Sequence, residues 1–190
     1  VAEVPGRLTE ILAPQLTPDL TRSTDYAPPE GAFIRHAFAF DGEMRVWHGV
    51  APKVGDAPPT AVVVLLHGSG RDGRAMLDMW QGLAREAGIL LIAPDSRDAA
   101  GWNPDTDGEA FLAQVMADAG VGAEVPAYLF GHSAGAEFAL YLAGQGEGPW
   151  RAVAVHAGGR DLRRISAPDH PVPLRIYLGD HDRLFPLDRV

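Results

Sequence analysis

The sequence predicts an α/β protein of one domain, with a mostly parallel sheet and helices on both faces. Three observations carry this. Ala61–Leu66 and Ile89–Pro94 are short runs apolar throughout, the composition of strands buried on both faces. Segments with apolar residues at helical spacing alternate with such runs, so each parallel step is closed by a crossover helix. Tyr128–Leu142 reads as a strand, a sharp turn and a helix in immediate succession.

Taken in order, residues 1–31 contain Pro5, Pro14, Pro18, Pro28 and Pro29 and one helix-like patch around Leu8–Leu12. They are expected to form an arm that wraps the domain spanning 32–190. Ala32–Val50 alternates through Phe33, Phe38 and Phe40, then Met44, Val46 and His48, with Asp41-Gly42 between, the signal of a β-hairpin. A polar loop, Lys53–Pro59, leads into the strand Ala61–Leu66, which ends at His67-Gly68-Ser69-Gly70. Ala75–Ala87 follows as a helix with Met76, Leu77, Trp80, Leu83 and Ala84 on one stripe and Gly88 as its stop. Trp80 and the methionines are assigned to the core.

After the strand Ile89–Pro94 comes a loop, Asp95–Asp107, that holds Trp102, either lining a substrate pocket or capping the core. Asp107–Ala119 has helical spacing through Phe111, Leu112, Val115 and Met116. Beyond the Tyr128–Leu142 unit, Ala152–Val155 is a strand ending at His156, and a loop with Asp161, Arg163 and Arg164 leads to a last strand, Pro173–Leu178.

Composition narrows the function. A net charge of -9, with arginines scattered among acids, argues against a nucleic-acid partner. With no cysteine there is no disulfide, no thiolate nucleophile and no cysteine-ligated metal. No apolar run reaches the roughly 18 residues that a membrane span needs. No charged-then-apolar signal pattern follows Val1, and the expected location is cytoplasmic.

The chemistry lies in Gly131-His132-Ser133-Ala134-Gly135, a Gly-x-Ser-x-Gly between strand and helix. A serine at the tip of such a turn projects its hydroxyl out of the sheet, and its neighbours must be small for two backbones to pass. The unpaired N–H groups at the helix start, that of Ala134 among them, point to where an oxyanion would form in acyl transfer. The glycines after Leu66 would likewise expose backbone N–H groups at the carboxyl edge of the sheet.

These motifs together resemble the α/β-hydrolase superfamily, and more narrowly the polyhydroxybutyrate depolymerase and feruloyl esterase-like serine esterases. The resemblance rests on Leu66-His67-Gly68-Ser69-Gly70, Ile92-Ala93-Pro94-Asp95, the Ser133 pentapeptide, and Gly179-Asp180-His181-Asp182 followed by Phe185-Pro186, and spans about Arg45 to Pro186. It implies that Ser133 is the nucleophile and that the N–H groups of Ser69 and Ala134 form the oxyanion hole. The family's Gly-x-x-Asp pattern selects Asp182 over Asp180 as the triad acid. The expected substrate is a small-molecule ester, with no cofactor or metal, and the oligomeric state stays open.

The family order of serine, acid and histidine is incomplete here, because no histidine follows Asp182. His67 and His132 belong to turns, His36 and His48 to the hairpin, and His156, His170 and His181 precede Asp182. The expectation is a chain that continues past Val190 for roughly 30 to 45 residues, with the base in its final loop. The alternatives are a hydrolase-like binding protein that lacks the base, and a small lysophospholipase or thioesterase-type hydrolase.

Overall fold

The computed structural model describes residues 33–51, 59–146, 148–160 and 168–187. The expected arm over 1–31, most of the Lys53–Pro59 loop and the loop with Asp161, Arg163 and Arg164 lie outside the described residues.

Seven strands form one sheet in the order β1-β2-β4-β3-β5-β6-β7. β1 (Ile34–Phe40) and β2 (Glu43–Val50) make the expected hairpin, and β2 lies antiparallel to β4 (Ile89–Pro94). Asp41 (φ 50°) and Gly42 (φ 77°) both take the left-handed conformation that a two-residue hairpin loop requires. From β4 onward every pairing is parallel, through β3 (Ala61–Leu66), β5 (Ala127–His132), β6 (Trp150–His156) and β7 (Leu174–Tyr177). The loops that follow these parallel strands therefore gather at one edge, where open α/β sheets hold their ligands.

Among the described residues the helices are α1 (Gly73–Ala87), α2 (Pro104–Asp107), α3 (Glu109–Asp118) and α4 (Ala134–Gln145). α1 covers one face of the sheet, and α3 and α4 cover the other. β3 shows why its sequence is apolar throughout: Val62, Val64 and Leu66 enter the α3/α4 core while Val63 and Leu65 enter the α1 core. Each such buried aliphatic side chain contributes on the order of 1.5–3 kcal/mol.

Three details differ from the sequence reading. α1 begins at Gly73, ahead of Ala75, because Asp72 caps it by accepting from the Arg74 N–H at 3.0 Å. The helix expected over Asp107–Ala119 starts only at Glu109, and the stretch read as a loop holds a separate short helix, Pro104–Asp107; the two meet at Gly108, where a Cβ would lie 2.3 Å from the Pro104 carbonyl oxygen.

The third concerns which residues face inward. The alternation in β2 put Met44, Val46 and His48 on one face, but Arg45 and Trp47 share the Phe38 side and are buried, while Met44 is exposed. Arg45 is tolerated there because its guanidinium pairs with the fully buried carboxylate of Asp107, donates to the carbonyls of Thr106 and Asp95, and sits 3.8 Å from the Phe111 ring centroid. Met79, assigned to the core, is 62% exposed on α1.

Candidate active site

The Ser133 turn is shaped by close backbone packing. Ser133 has φ 53° and ψ −118°, a region that costs about 1–3 kcal/mol for a residue with a side chain and persists only where its surroundings enforce it. Three glycines do the enforcing. A Cβ on Gly131 would lie 2.2 Å from the Gly135 oxygen, one on Gly135 2.2 Å from the Leu66 oxygen, and one on Gly158 2.5 Å from the Ser133 oxygen. The Ser133 N–H donates to the His156 carbonyl at 3.0 Å, and the Ser133 carbonyl accepts from Ala136 and Glu137, which starts α4. The side chain of Ser133 does not cap that helix, so its hydroxyl is left for other chemistry.

The loop after β3 approaches this turn closely: a Cβ on Gly68 would lie 3.1 Å from the Cβ of Ser133. Gly70 donates to the Ala99 carbonyl at 2.7 Å and Arg71 to that of Gly68 at 3.2 Å, and the N–H groups of Ser69 and Ala134 take no part in the backbone bonds that close these turns. Ser69 and Ala134 thus flank the serine with N–H groups to spare.

His67 braces the Ser69 loop from below. Its ring is buried; Nδ1 lies 2.9 Å from the Gly68 carbonyl oxygen, which can only accept, so Nδ1 carries the proton. Nε2 then accepts from the Ser96 N–H at 3.1 Å. Burial holds the His67 pKa below the ordinary imidazole value, in keeping with a neutral ring that uses one nitrogen as donor and the other as acceptor. The Trp102 indole N–H donates to the His67 carbonyl at 2.9 Å, and its ring stacks on Phe138 with centroids 5.5 Å apart. Trp102 is half-buried: it packs on the core, as one of the two sequence readings has it, and also lines a cavity.

The remaining histidines near the serine are engaged with each other. The Nδ1 atoms of His132 and His156 are 3.1 Å apart and their rings stack, so one nitrogen donates and the other accepts. Burial, and then the neighbouring His156, lower the pKa of His132.

Asp180 and Asp182 are set apart by their surroundings. Asp180 is exposed. Asp182 is half-buried beyond β7; its N–H donates to the Gly179 carbonyl at 3.1 Å, and its Oδ1 accepts from Leu184 at 2.8 Å and Phe185 at 3.0 Å. Those bonds orient the carboxylate and leave Oδ2 for another partner. Among the described residues no group of three or more His, Asp or Glu side chains could hold a metal ion.

Two cavities meet at this edge. One of about 340 Å³ is lined by Gly68, Ser69, Met76, Met79, His132 and Ser133. The other, about 250 Å³, is lined by Ser69, Ala134, Trp102, Phe138, Tyr141 and Arg160 among others. Sequence reasoning passed over Met79, Tyr141 and Arg160; the Phe138-x-x-Tyr141 spacing on α4 was the signal for the aromatic wall.

No protein-family model matches the chain, and no curated protein matches it either. Solved structures do. A poly(3-hydroxybutyrate) depolymerase from Bordetella parapertussis aligns with a TM-score of 0.62 at 22% identity, covering 79% of this chain and 66% of its own. Esterase PE8 aligns at 0.57 and 25% identity over 74% of this chain and 77% of that one. A cold-adapted esterase from an Arctic intertidal metagenomic library gives 0.64 at 18% identity over 86% and 82%. The chain has the α/β-hydrolase fold, and it spans just under two thirds of the Bordetella depolymerase. Among the described residues no helix is long and apolar enough to cross a membrane.

Proposed function

We propose that the protein is a serine hydrolase acting on carboxylic esters through an acyl-enzyme on Ser133. The observation that carries this is the strained Ser133 turn, with a hydroxyl not used for capping and spare N–H groups from Ser69 and Ala134 beside it. The esterase and depolymerase names of the solved proteins that share the fold support the same reading. In it, Ser133 Oγ attacks the ester carbonyl, and the oxyanion of the tetrahedral intermediate accepts from Ser69 and Ala134.

Asp182 is the triad acid of this proposal, chosen over Asp180 for its oriented carboxylate. The base it orients is a histidine beyond residue 190, which takes the proton from Ser133 and returns it to the leaving alcohol. His132 and His156 are not given this role, since each has its Nδ1 committed to the other. The substrate is a small-molecule ester; a lysophospholipid or a thioester would use the same residues.

A fluorophosphonate probe tests the assignment directly. The protein is expected to be labelled at Ser133 and Ser133→Ala to remain unlabelled. Labelling that persists in Ser133→Ala sinks the assignment, and a full-length protein that neither labels nor hydrolyses p-nitrophenyl acetate leaves the hydrolase-like binding protein as the better reading.

A further inference from the structure

The two cavities that meet at Ser69 differ in chemistry. Beside Ser133 the wall mixes the aliphatic side chains of Ala75, Met76 and Met79 with Arg71, Asp78 and His132. On the Ala134 side it is aromatic: Trp102, Phe138 and Tyr141 lie nearly parallel, with successive centroids 5.5 Å and 6.0 Å apart and interplanar angles of 13° and 12°. At the far end of this row the Arg160 guanidinium lies 5.7 Å from the Tyr141 ring centroid. A carbonyl held by the N–H groups of Ser69 and Ala134 would send one half of an ester into each cavity.

We infer that the aromatic cavity is a subsite for an ester half that bears a carboxylate, with Arg160 as the carboxylate's partner. This rests on the serine-hydrolase reading for the position of the scissile carbonyl. Arg160 is exposed, and among the described residues no carboxylate forms an ion pair with it. A guanidinium that leans on a ring keeps its coplanar N–H donors for a carboxylate, which they can engage two at a time.

The other charge in the cavity, Glu137, stands one helical turn before Tyr141, nearer the start of α4. It repels an anion from the inner part of the cavity and so favours a carboxylate at the Arg160 end. Ala134 and Tyr141 are separated by about 10 Å along α4 at roughly 1.5 Å per residue. The spacer between ester and carboxylate therefore has the length of a benzene ring or a short alkyl chain, more than one methylene, and a flat ring would stack on Trp102 or Tyr141.

The test separates binding from turnover. In Ser133→Ala, equilibrium dialysis compares 4-acetoxybenzoate, which carries the carboxylate on its alcohol half, with neutral phenyl acetate. A second pair, p-nitrophenyl hydrogen glutarate against p-nitrophenyl butyrate, places the carboxylate on the acyl half. We expect the charged member of at least one pair to bind about tenfold more tightly, as one charge-assisted contact near the surface provides. That preference should vanish in Arg160→Gln, persist in part in Arg160→Lys, and weaken with added salt. Equal binding within both pairs, or a preference that survives Arg160→Gln, overturns the inference. So does tighter binding of (4-acetoxyphenyl)trimethylammonium that Glu137→Gln abolishes, which would assign the cavity to cations. Because dialysis needs no catalysis, a protein that is not labelled by fluorophosphonate yet prefers the carboxylate loses the hydrolase reading and keeps the subsite.

Discussion

Around Ser133 three strands and a helix start are packed so closely that Gly131, Gly135 and Gly158 have no room for a methyl group. Around Asp182 the packing is looser: among the described residues β7 is an outermost strand of four residues, Leu174 and Tyr177 on it are exposed, and Leu184 beyond it is 83% exposed. Ser133 and the N–H groups of Ser69 and Ala134, the proposed nucleophile and oxyanion donors, are thus positioned by the core itself, whereas Asp182, the proposed acid, is positioned by hydrogen bonds within its own loop. On the proposed function, the contrast teaches that the geometry for stabilising charge is as rigid as the fold, while the geometry for moving a proton depends on what is arranged at one sheet edge.

The strongest way to break this contrast is at Gly135. A Cβ there meets the Leu66 oxygen at 2.2 Å and the His67 oxygen at 2.7 Å, both backbone atoms that cannot swing aside. Gly135→Ala is expected to destabilise the protein by about 4 kcal/mol or more, at the exceptional end for single changes, and to abolish fluorophosphonate labelling. A Tm within a few degrees of the parent would show that the elbow is more pliable than its packing implies.

Next comes Asp182→Asn, which should separate the two regions cleanly. On the proposed role, kcat of the full-length protein is expected to fall by about 10⁴, as for the loss of the orienting carboxylate in other triads. Thermal unfolding should move little, since the loop lies outside the core. The opposite pattern, a large loss of Tm with activity intact, would make Asp182 a structural residue, and an equal kinetic loss from Asp180→Asn alone would transfer the role.

The smallest effect is a pH dependence seated at His67. Its folded-state pKa lies below the ordinary 6.5 because burial penalises the charged ring. The unfolded chain therefore takes up a proton first as pH falls, so the stability that neutral His67 supplies is complete above about pH 6.5 and is lost as pH drops toward the folded value. Denaturant titrations at pH 7.5 and 5.5 should show the loss. His132, lowered in the same direction, adds to it. The slope should flatten in His67→Asn, and a slope unchanged there but flattened in His132→Asn would move the effect to the histidine pair.

How much of this is legible in the sequence depends on whether the signal is local. The elbow is legible because its requirements, small residues around Ser133 and apolar flanks of strand and helix type, fall within one short stretch. The parallel sheet is legible for a similar reason, since β3 and β4 must be apolar on both faces. Arg45 and Asp107 are not: 62 positions apart, each reads as a surface charge, and only the fold reveals that they neutralise each other in the core. Arg160 is illegible as well, because its neighbour Tyr141 reaches it by way of β6. The proposal for Asp182 starts from a pattern, and nothing in Gly179–Asp182 tells how its carboxylate is oriented.

The buried Asp107 carboxylate has a consequence for amide exchange. Its Oδ1 accepts from the Arg97 N–H at 3.0 Å and its Oδ2 from the Asn103 N–H at 2.9 Å, while Arg45 of β2 holds it from the other side. Opening either amide to solvent means exposing the same charge. Two protons at opposite ends of an otherwise irregular loop, with Trp102 between them, should therefore be exchanged for deuterium together and late, as a single cooperative unit tied to the hairpin.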